Sequence, residues 1–308
     1  MKLKYSTEIK RAIKNKQPLL ALESTIIAHG MPYPENFSFV LKAETLCRNA
    51  GVVPATIAII NGDVHVGLNK KQLKHLATCS SIKKVSRREI GVAISKKWDG
   101  ATTVSSTMHI AYKAGISVFS TGGIGGVHRD FSTAIDVSQD IYTLSEIPMV
   151  VVSAGAKSIL DLVKTVEMLE TLGTTVLGYN TSEFPAFYSR SSGINDIQMV
   201  KDEKEIATIY YNNLKVGLFG ATLVANPIPK TSEISNKKIE SIIELAYKLA
   251  KTKNISGKNL TPFLLKTVVS KTGGKSLQAN IDLAINNIKL GIKIAKAIGY
   301  VDLSQINT

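Results

Sequence analysis

The chain has 308 residues, only two cysteines and a formal net charge of +14. Such a length buries an ample core without disulfide or metal staples. No stretch reaches the roughly 20 apolar residues of a membrane helix. Cys47 and Cys79 lack a paired spacing and no apolar N-terminal stretch resembles a signal peptide, so a soluble cytoplasmic protein with reduced thiols is expected.

In chain order, residues 5 to 15 read as an opening helix, followed by a strand over 18 to 22 that delivers Glu23-Ser24-Thr25 to its carboxyl end. Residues 35 to 49 form the next helix, which Gly51 stops as a C-terminal cap. ATIAIINGDVHVGL alternates through Ile57, Ile59, Val64 and Val66 around Asn61-Gly62-Asp63, the signature of a hairpin. From Ala101 a helix carrying Thr103, Ser106 and Met108 leads to a strand over 116 to 119 and then to the glycine-rich Thr121-Gly122-Gly123-Ile124-Gly125-Gly126. Val150, Val151 and Val152 suit a strand covered on both faces, Ser153 to Ala156 lets the backbone turn, and Lys157 opens a helical segment over 158 to 172. Thr175 to Tyr179 is a further strand. Residues 230 to 260 are lysine-rich but keep a helical stripe through Ile239, Ile242, Ile243, Leu245 and Ala246, so they are not a linker. Strands alternating with helices, plus one antiparallel hairpin, predict a single α/β domain over 1 to 308 with a mixed β-sheet surrounded by helices. No internal repeat is present, and Trp98 reads as a packing residue.

Several residues carry two readings. Lys157 either extends its stem along apolar surface with its charge in water or, held in a partly dry pocket at a strand's carboxyl end, becomes a nucleophile towards a carbonyl. Glu23 is either a helix-capping carboxylate or a general acid/base. Lys83 to Arg88 is a solvated basic face or a partner for phosphate or carboxylate. TGGIGGVHR lacks both the Walker ending and the dinucleotide fingerprint, but its N–H groups could form an anion nest beside His128 and Arg129. Asp136 and Asp140 either hold a hard divalent cation through waters or mark a helix start capped by Ser138 or Asp136. Ser276 to Asn280 could begin a helix that brings an amide to the pocket. Histidines 29, 65, 75 and 109 show no metal-ligand spacing. The basic charge raises a nucleic-acid-binding protein as a rival, but the lysines lie in scattered groups (Lys10, Lys14, Lys16; Lys237, Lys238, Lys248, Lys251, Lys253) and do not form one stripe interleaved with aromatics.

LESTIIAHGMPYPEN, KVSRREI, GATTVSSTM, VFSTGGIGGVHR, DVSQD, VVSAGAKSILDL, FPAFYSRSSG and SLQANIDLAINN, in this order, closely resemble the pseudouridine-5'-phosphate glycosidase family, which includes the indigoidine synthase A-like proteins. The resemblance runs from about residue 18 to 290. It implies reversible cleavage of the C–C glycosidic bond of pseudouridine 5'-phosphate to uracil and ribose 5-phosphate by a homotrimer that uses Mn²⁺ or another divalent cation. It places the catalytic lysine on Lys157, the acid/base on Glu23 and the metal ligand on Asp136. Substrate contacts fall on Lys84, Ser138 and Asp140, those to phosphate and ribose on Thr121, His128 and Asn280, and Val104 lies in the segment that meets the base. Met31 stands where the family often has Ile or Leu, Ser153 where it often has Cys, and Gln139 where Ala is common. The rivals are a Schiff-base aldolase or lyase acting on another sugar phosphate, from which uracil release would distinguish this reading, and a non-catalytic nucleic-acid binder.

Overall fold

The computed structural model describes residues 2–129, 135–255 and 260–299. Its strands are β1 (Leu3–Tyr5), β2 (Leu19–Leu22), β3 (Val53–Ile60), β4 (Asp63–Val66), β5 (Lys83–Val85), β6 (Gly100–Thr102), β7 (Val118–Ser120), β8 (Val150–Ser153), β9 (Thr175–Tyr179), β10 (Gln198–Val200) and β11 (Thr222–Ala225). They join in the order β1-β4-β3-β2-β7-β8-β11-β9-β10, and β6 pairs with both β3 and β5. The expected mixed sheet is present. Two pairings are antiparallel, the anticipated β3–β4 hairpin and β3 with β6, while the others are parallel.

The central strands are buried throughout because helices cover both faces, and their sequences LLAL, VVVS and TLVA are correspondingly continuous apolar runs. β4 alternates half-buried and buried positions, as a strand with one solvated face does. At the hairpin tip Asn61 and Gly62 both take positive φ, 50° and 76°, the pairing that a two-residue turn of primed type requires. Gly51, at φ 74°, ends the helix Glu35–Asn49 as its spacing predicts.

Several elements differ from expectation. The helix expected from Ala101 begins at Val104, because residues 100–102 pair as β6 with β3 and β5. The strand expected over 116 to 119 lies at Val118–Ser120, and β5, β10 and β11 are strands that the sequence pattern does not announce. The first helix starts at Thr7, because Ser6 caps it by accepting from the Ile9 N–H, and Leu3–Tyr5 pairs with β4. Lys157 does not open a helix: a turn intervenes, and the helix Leu162–Thr171 begins where Asp161 accepts from the Lys164 N–H.

β2, β7 and β8 lie side by side and in parallel, with Leu22 opposite Ser120 and Ser120 opposite Val152. The segments that leave them, at Glu23, Thr121 and Ala154, therefore emerge together at one edge, the place where open α/β sheets bind ligands. The helix Lys275–Ile298 packs across these three strands and closes one side of that edge.

Candidate active site

A cavity of about 420 Å³ opens at this edge, within the range of small-molecule sites. Glu23, Lys84, Val104, His128, Asp136, Ser138, Asp140, Lys157 and Asn280 all line it. Of the ten residues that the resemblance assigns to the site, Thr121 alone stands off the wall.

Thr121 acts from behind. Its hydroxyl donates to Glu23 Oε1, and its own backbone is held in turn. Asn287, fully buried on the helix Lys275–Ile298, donates from Nδ2 to the carbonyls of Thr121 and Gly122 at 2.8 and 3.1 Å, and its Oδ1 accepts from Asn226 at 3.0 Å. Glu23 is thus not a helix cap. The short π-helix Ile26–Gly30 that follows it has Thr25 at its N-cap with no side-chain hydrogen bond, and the carboxylate instead faces the cavity, 7% exposed. Burial raises its pKa above the ordinary value, opposed by the charge of Lys157, the Thr121 hydroxyl and Lys84, while Asp140 adds to the rise. Asn287→Leu is expected to destabilise the fold by about 2 kcal/mol or more, since it strips two carbonyls of a buried donor. Denaturant unfolding measures this, and an unchanged midpoint would show that water replaces the amide.

Lys157 is held by the glycine-rich loop. The two segments zip together through Thr121 N–H to Val152 O (3.0 Å), Ala154 N–H to Gly122 O (2.9 Å), Ile124 N–H to Gly155 O (3.1 Å), Lys157 N–H to Ile124 O (3.1 Å) and Asp161 N–H to Val127 O (2.9 Å). The glycines make this approach possible. A Cβ on Gly123 would stand 2.6 Å from the Phe187 ring, and one on Gly125 would stand 2.2 Å from Ser138 Oγ. This narrows the expected anion nest over 122 to 126: the N–H groups of Ile124 and Gly125 already serve protein acceptors, the latter Asp140 Oδ2 at 2.9 Å. TGGIGGVHR is in large part the scaffold of the lysine turn.

The helix start expected within DVSQD is present. Ser138 caps the helix Gln139–Glu146, accepting from the Asp140 N–H at 3.2 Å. Asp136 lies outside that helix, so the two carboxylates do not share a helical face. Asp140, 5% exposed, spends one oxygen on the Ser105 N–H (3.0 Å) and the other on Gly125, which clasps the helix Val104–Lys113 to the glycine loop. Asp136 lines the cavity, and its carbonyl accepts from the His128 N–H at 2.9 Å.

The basic strip splits between its two readings. Lys84 and Arg88 line the cavity, whereas Arg87 pairs with Glu146 at the surface. Gln139, the departure from the common alanine, accepts from the Arg88 N–H at 3.0 Å and so ties this strip to the DVSQD helix. Sequence reasoning missed His29, Phe187 and the wall made by Thr261, Pro262 and Leu265. His29 sits inside the LESTIIAHG block, and its placement on a π-turn facing the cavity had no periodic signal. Its pKa is lowered by burial and by Lys84.

An amine, a buried carboxyl of raised pKa and further cations thus share one partly dry chamber. That set can form an iminium on a carbonyl carbon, move a proton beside it and hold an anionic substrate.

Comparison with known proteins agrees in kind. The family model "Indigoidine synthase A like protein" matches residues 8–297, more than the eight sequence blocks span. A pseudouridine-5'-phosphate glycosidase of Staphylococcus aureus is 48% identical over 96% of both chains. Among solved structures, an indigoidine synthase A-like protein of Thermotoga maritima superposes with a TM-score of 0.87 at 35% identity, covering 95% of each chain. The prealnumycin C-glycosynthase AlnA, in complex with ribulose 5-phosphate, gives the same score and identity over 96% of each chain.

Proposed function

The chain belongs to the indigoidine synthase A like family, and on that footing we propose that it cleaves the C–C glycosidic bond of pseudouridine 5'-phosphate, reversibly, to uracil and ribose 5-phosphate. The observation that carries this reading is the shared cavity of Lys157 and Glu23 in a chain nearly half identical to enzymes of that name.

A C-glycoside has a carbon leaving group, so its bond does not break by simple departure of the base. The neutral Lys157 amine attacks C1' of the ribose, the C1'–O4' bond opens, and O4' takes a proton. Uracil C5 is then protonated, the C1'–C5 bond breaks, and the nitrogen lone pair forms the C1' iminium as uracil leaves. Water adds to the iminium, releasing the aldehyde of ribose 5-phosphate and restoring the amine. Glu23 carries protons to and from O4' and C5, a task that suits a carboxyl whose pKa is raised by burial. Lys84 balances charge within the chamber, and Val104, Ser138 and Asp140 lie together where the base would be met. His128 and Asn280 serve the ribose phosphate, while Thr121 holds Glu23. The test is incubation with pseudouridine 5'-phosphate and Mn²⁺ with uracil followed by chromatography; release of a sugar phosphate from other substrates without uracil would favour a Schiff-base aldolase or lyase.

Among the described residues there is no group of three His, Cys, Asp or Glu side chains able to hold a metal ion. A divalent ion would be held in the manner of Mg²⁺-type sites by one carboxylate, Asp136, with waters or substrate oxygens as the remaining ligands; bound, it would neutralise substrate charge. EDTA is accordingly expected to remove most activity and Mn²⁺ to restore it, with Asp136→Asn resisting rescue in the uracil assay. Activity indifferent to EDTA would leave Asp136 a loop residue.

The same reading includes a homotrimer in the cytoplasm. Exposed Ile135, Tyr142 and Val163, on or beside the adjoining helices Gln139–Glu146 and Leu162–Thr171, support an assembly face. The free thiols Cys47 and Cys79 support the location, and no described helix is long and apolar enough to cross a membrane.

A further inference from the structure

The Lys157 turn is gripped from its outer side as well as by the glycine loop. Arg129, the last residue of TGGIGGVHR, is not on the cavity wall. Its guanidinium reaches back over the turn instead, with Nη2 donating to Ser158 O at 2.9 Å and Nε to Ile159 O at 3.2 Å. The same guanidinium makes a two-pronged pair with Glu240 of the helix Asn236–Thr252, Nη2 standing 3.0 Å from Oε2. Tyr247, about two turns further along the same helical face, donates its hydroxyl to Ile159 O at 2.8 Å, and the Arg129 guanidinium carbon lies 5.9 Å from the centre of its ring.

These contacts fall on the two carbonyls immediately after Lys157, where the chain is in neither helix nor strand. The helix Asn236–Thr252 packs in turn on the helix Leu260–Lys271, whose Thr261, Pro262 and Leu265 wall the cavity. One guanidinium therefore joins the outer wall of the chamber to the backbone that aims the amine.

We infer that Arg129 is a positioning residue for Lys157, completed by Glu240 and Tyr247, which fixes the amine's approach to C1' and couples it to the seating of the outer wall. A guanidinium is suited to this task because its planar fork meets two carbonyls and a carboxylate at once, which an ammonium cannot do. The inference rests on the proposed function, since it presumes that Lys157 attacks the sugar.

The test is reductive trapping with ribose 5-phosphate and cyanoborohydride, read as the rate of adduct formation on Lys157 by mass spectrometry, beside kcat and KM for uracil release. Arg129→Ala is expected to slow trapping and lower kcat by about ten- to a hundred-fold, the effect of a misplacement on the ångström scale, with KM little changed. Guanidinium ion at millimolar concentration should restore part of the trapping rate. Tyr247→Phe, which deletes one hydrogen bond and no volume, should lower kcat several-fold at an unchanged melting temperature, and this holds the inference to account if Arg129→Ala does not fold. Wild-type trapping rates in both variants would overturn it, as would a raised KM at unchanged kcat, which would make Arg129 a substrate contact. A wild-type protein that forms no adduct at all would bring down the proposed reaction itself, and the inference with it.

Discussion

Lys157→Arg is expected to lower kcat by at least about three powers of ten, because in the proposed mechanism the group lost is the covalent catalyst and its partners cannot substitute for it. Arginine keeps the positive charge, so any electrostatic service to an anionic substrate survives, but a guanidinium that stays protonated cannot form the iminium. Lys157→Ala should be equally inactive. The fold should tolerate both changes, since the turn is fixed by main-chain bonds from Lys157 N–H to Ile124 O and from Leu160 N–H to Lys157 O, which no side-chain substitution removes. Thermal unfolding should therefore match wild type within a few degrees. Borohydride added during turnover of the wild-type protein should leave a ribose phosphate adduct on this lysine. Substantial turnover in either variant, or adduct on another residue, would refute the covalent route.

Glu23→Gln should cost about two to four powers of ten in kcat/KM, the range for loss of a positioned proton carrier. It should also reveal a conflict between activity and stability. Burial holds this carboxyl's pKa above its ordinary value in the folded chain, despite Lys157, the Thr121 hydroxyl and Lys84. The folded state thus keeps the proton to higher pH than the unfolded state, so the group's contribution to stability is full below the unfolded pKa and is lost as pH rises through the folded one. An amide suffers no such loss. The variant is expected to melt above wild type at about pH 7.5 and to lose that advantage as pH falls towards about 4, the range of an unperturbed carboxyl. Melting curves of the two proteins that stay parallel across this range would mean that Glu23 is solvated and is not tuned for proton transfer.

Much of the site is legible in the amino-acid order alone. Runs such as LLAL and VVVS can be buried on both faces, and a polar or flexible residue directly after such a run sits at a strand's carboxyl end, which places Glu23 and the Lys157 turn correctly. Asn61-Gly62 and Gly51 are legible because positive φ is a local property that few residue types accept. The ordered blocks identify nine of the wall residues, though not Thr261, Pro262 and Leu265, because each block carries side-chain identities as well as periodicity.

Other features depend on partners far away in the chain, and there local pattern gives alternatives without choosing. Whether Glu23 caps a helix or faces a cavity is settled by Thr121, 98 positions away, whose hydroxyl takes the carboxylate. Whether the glycine loop is a phosphate nest or a brace depends on where its N–H groups find acceptors, and those lie in residues 152 to 155 and at Asp140. The insertion of β11 between β8 and β9 leaves no trace in sequence, because a strand's apolar pattern records that its faces are covered but not which strand lies beside it. Sequence by itself determined the strands β2, β3, β4, β7, β8 and β9, the Asn61-Gly62 turn and the Gly51 cap, and most of the charged groups in the chamber, since these follow from backbone preference and side-chain chemistry. The short strands β1, β5, β6 and β10 and the inserted β11 carry no such signal. Tertiary structure alone decided which hydrogen-bonding groups were already spent inside the protein and which remained to face a substrate, since most buried donors and acceptors find a partner and only the assembled fold shows which one each found.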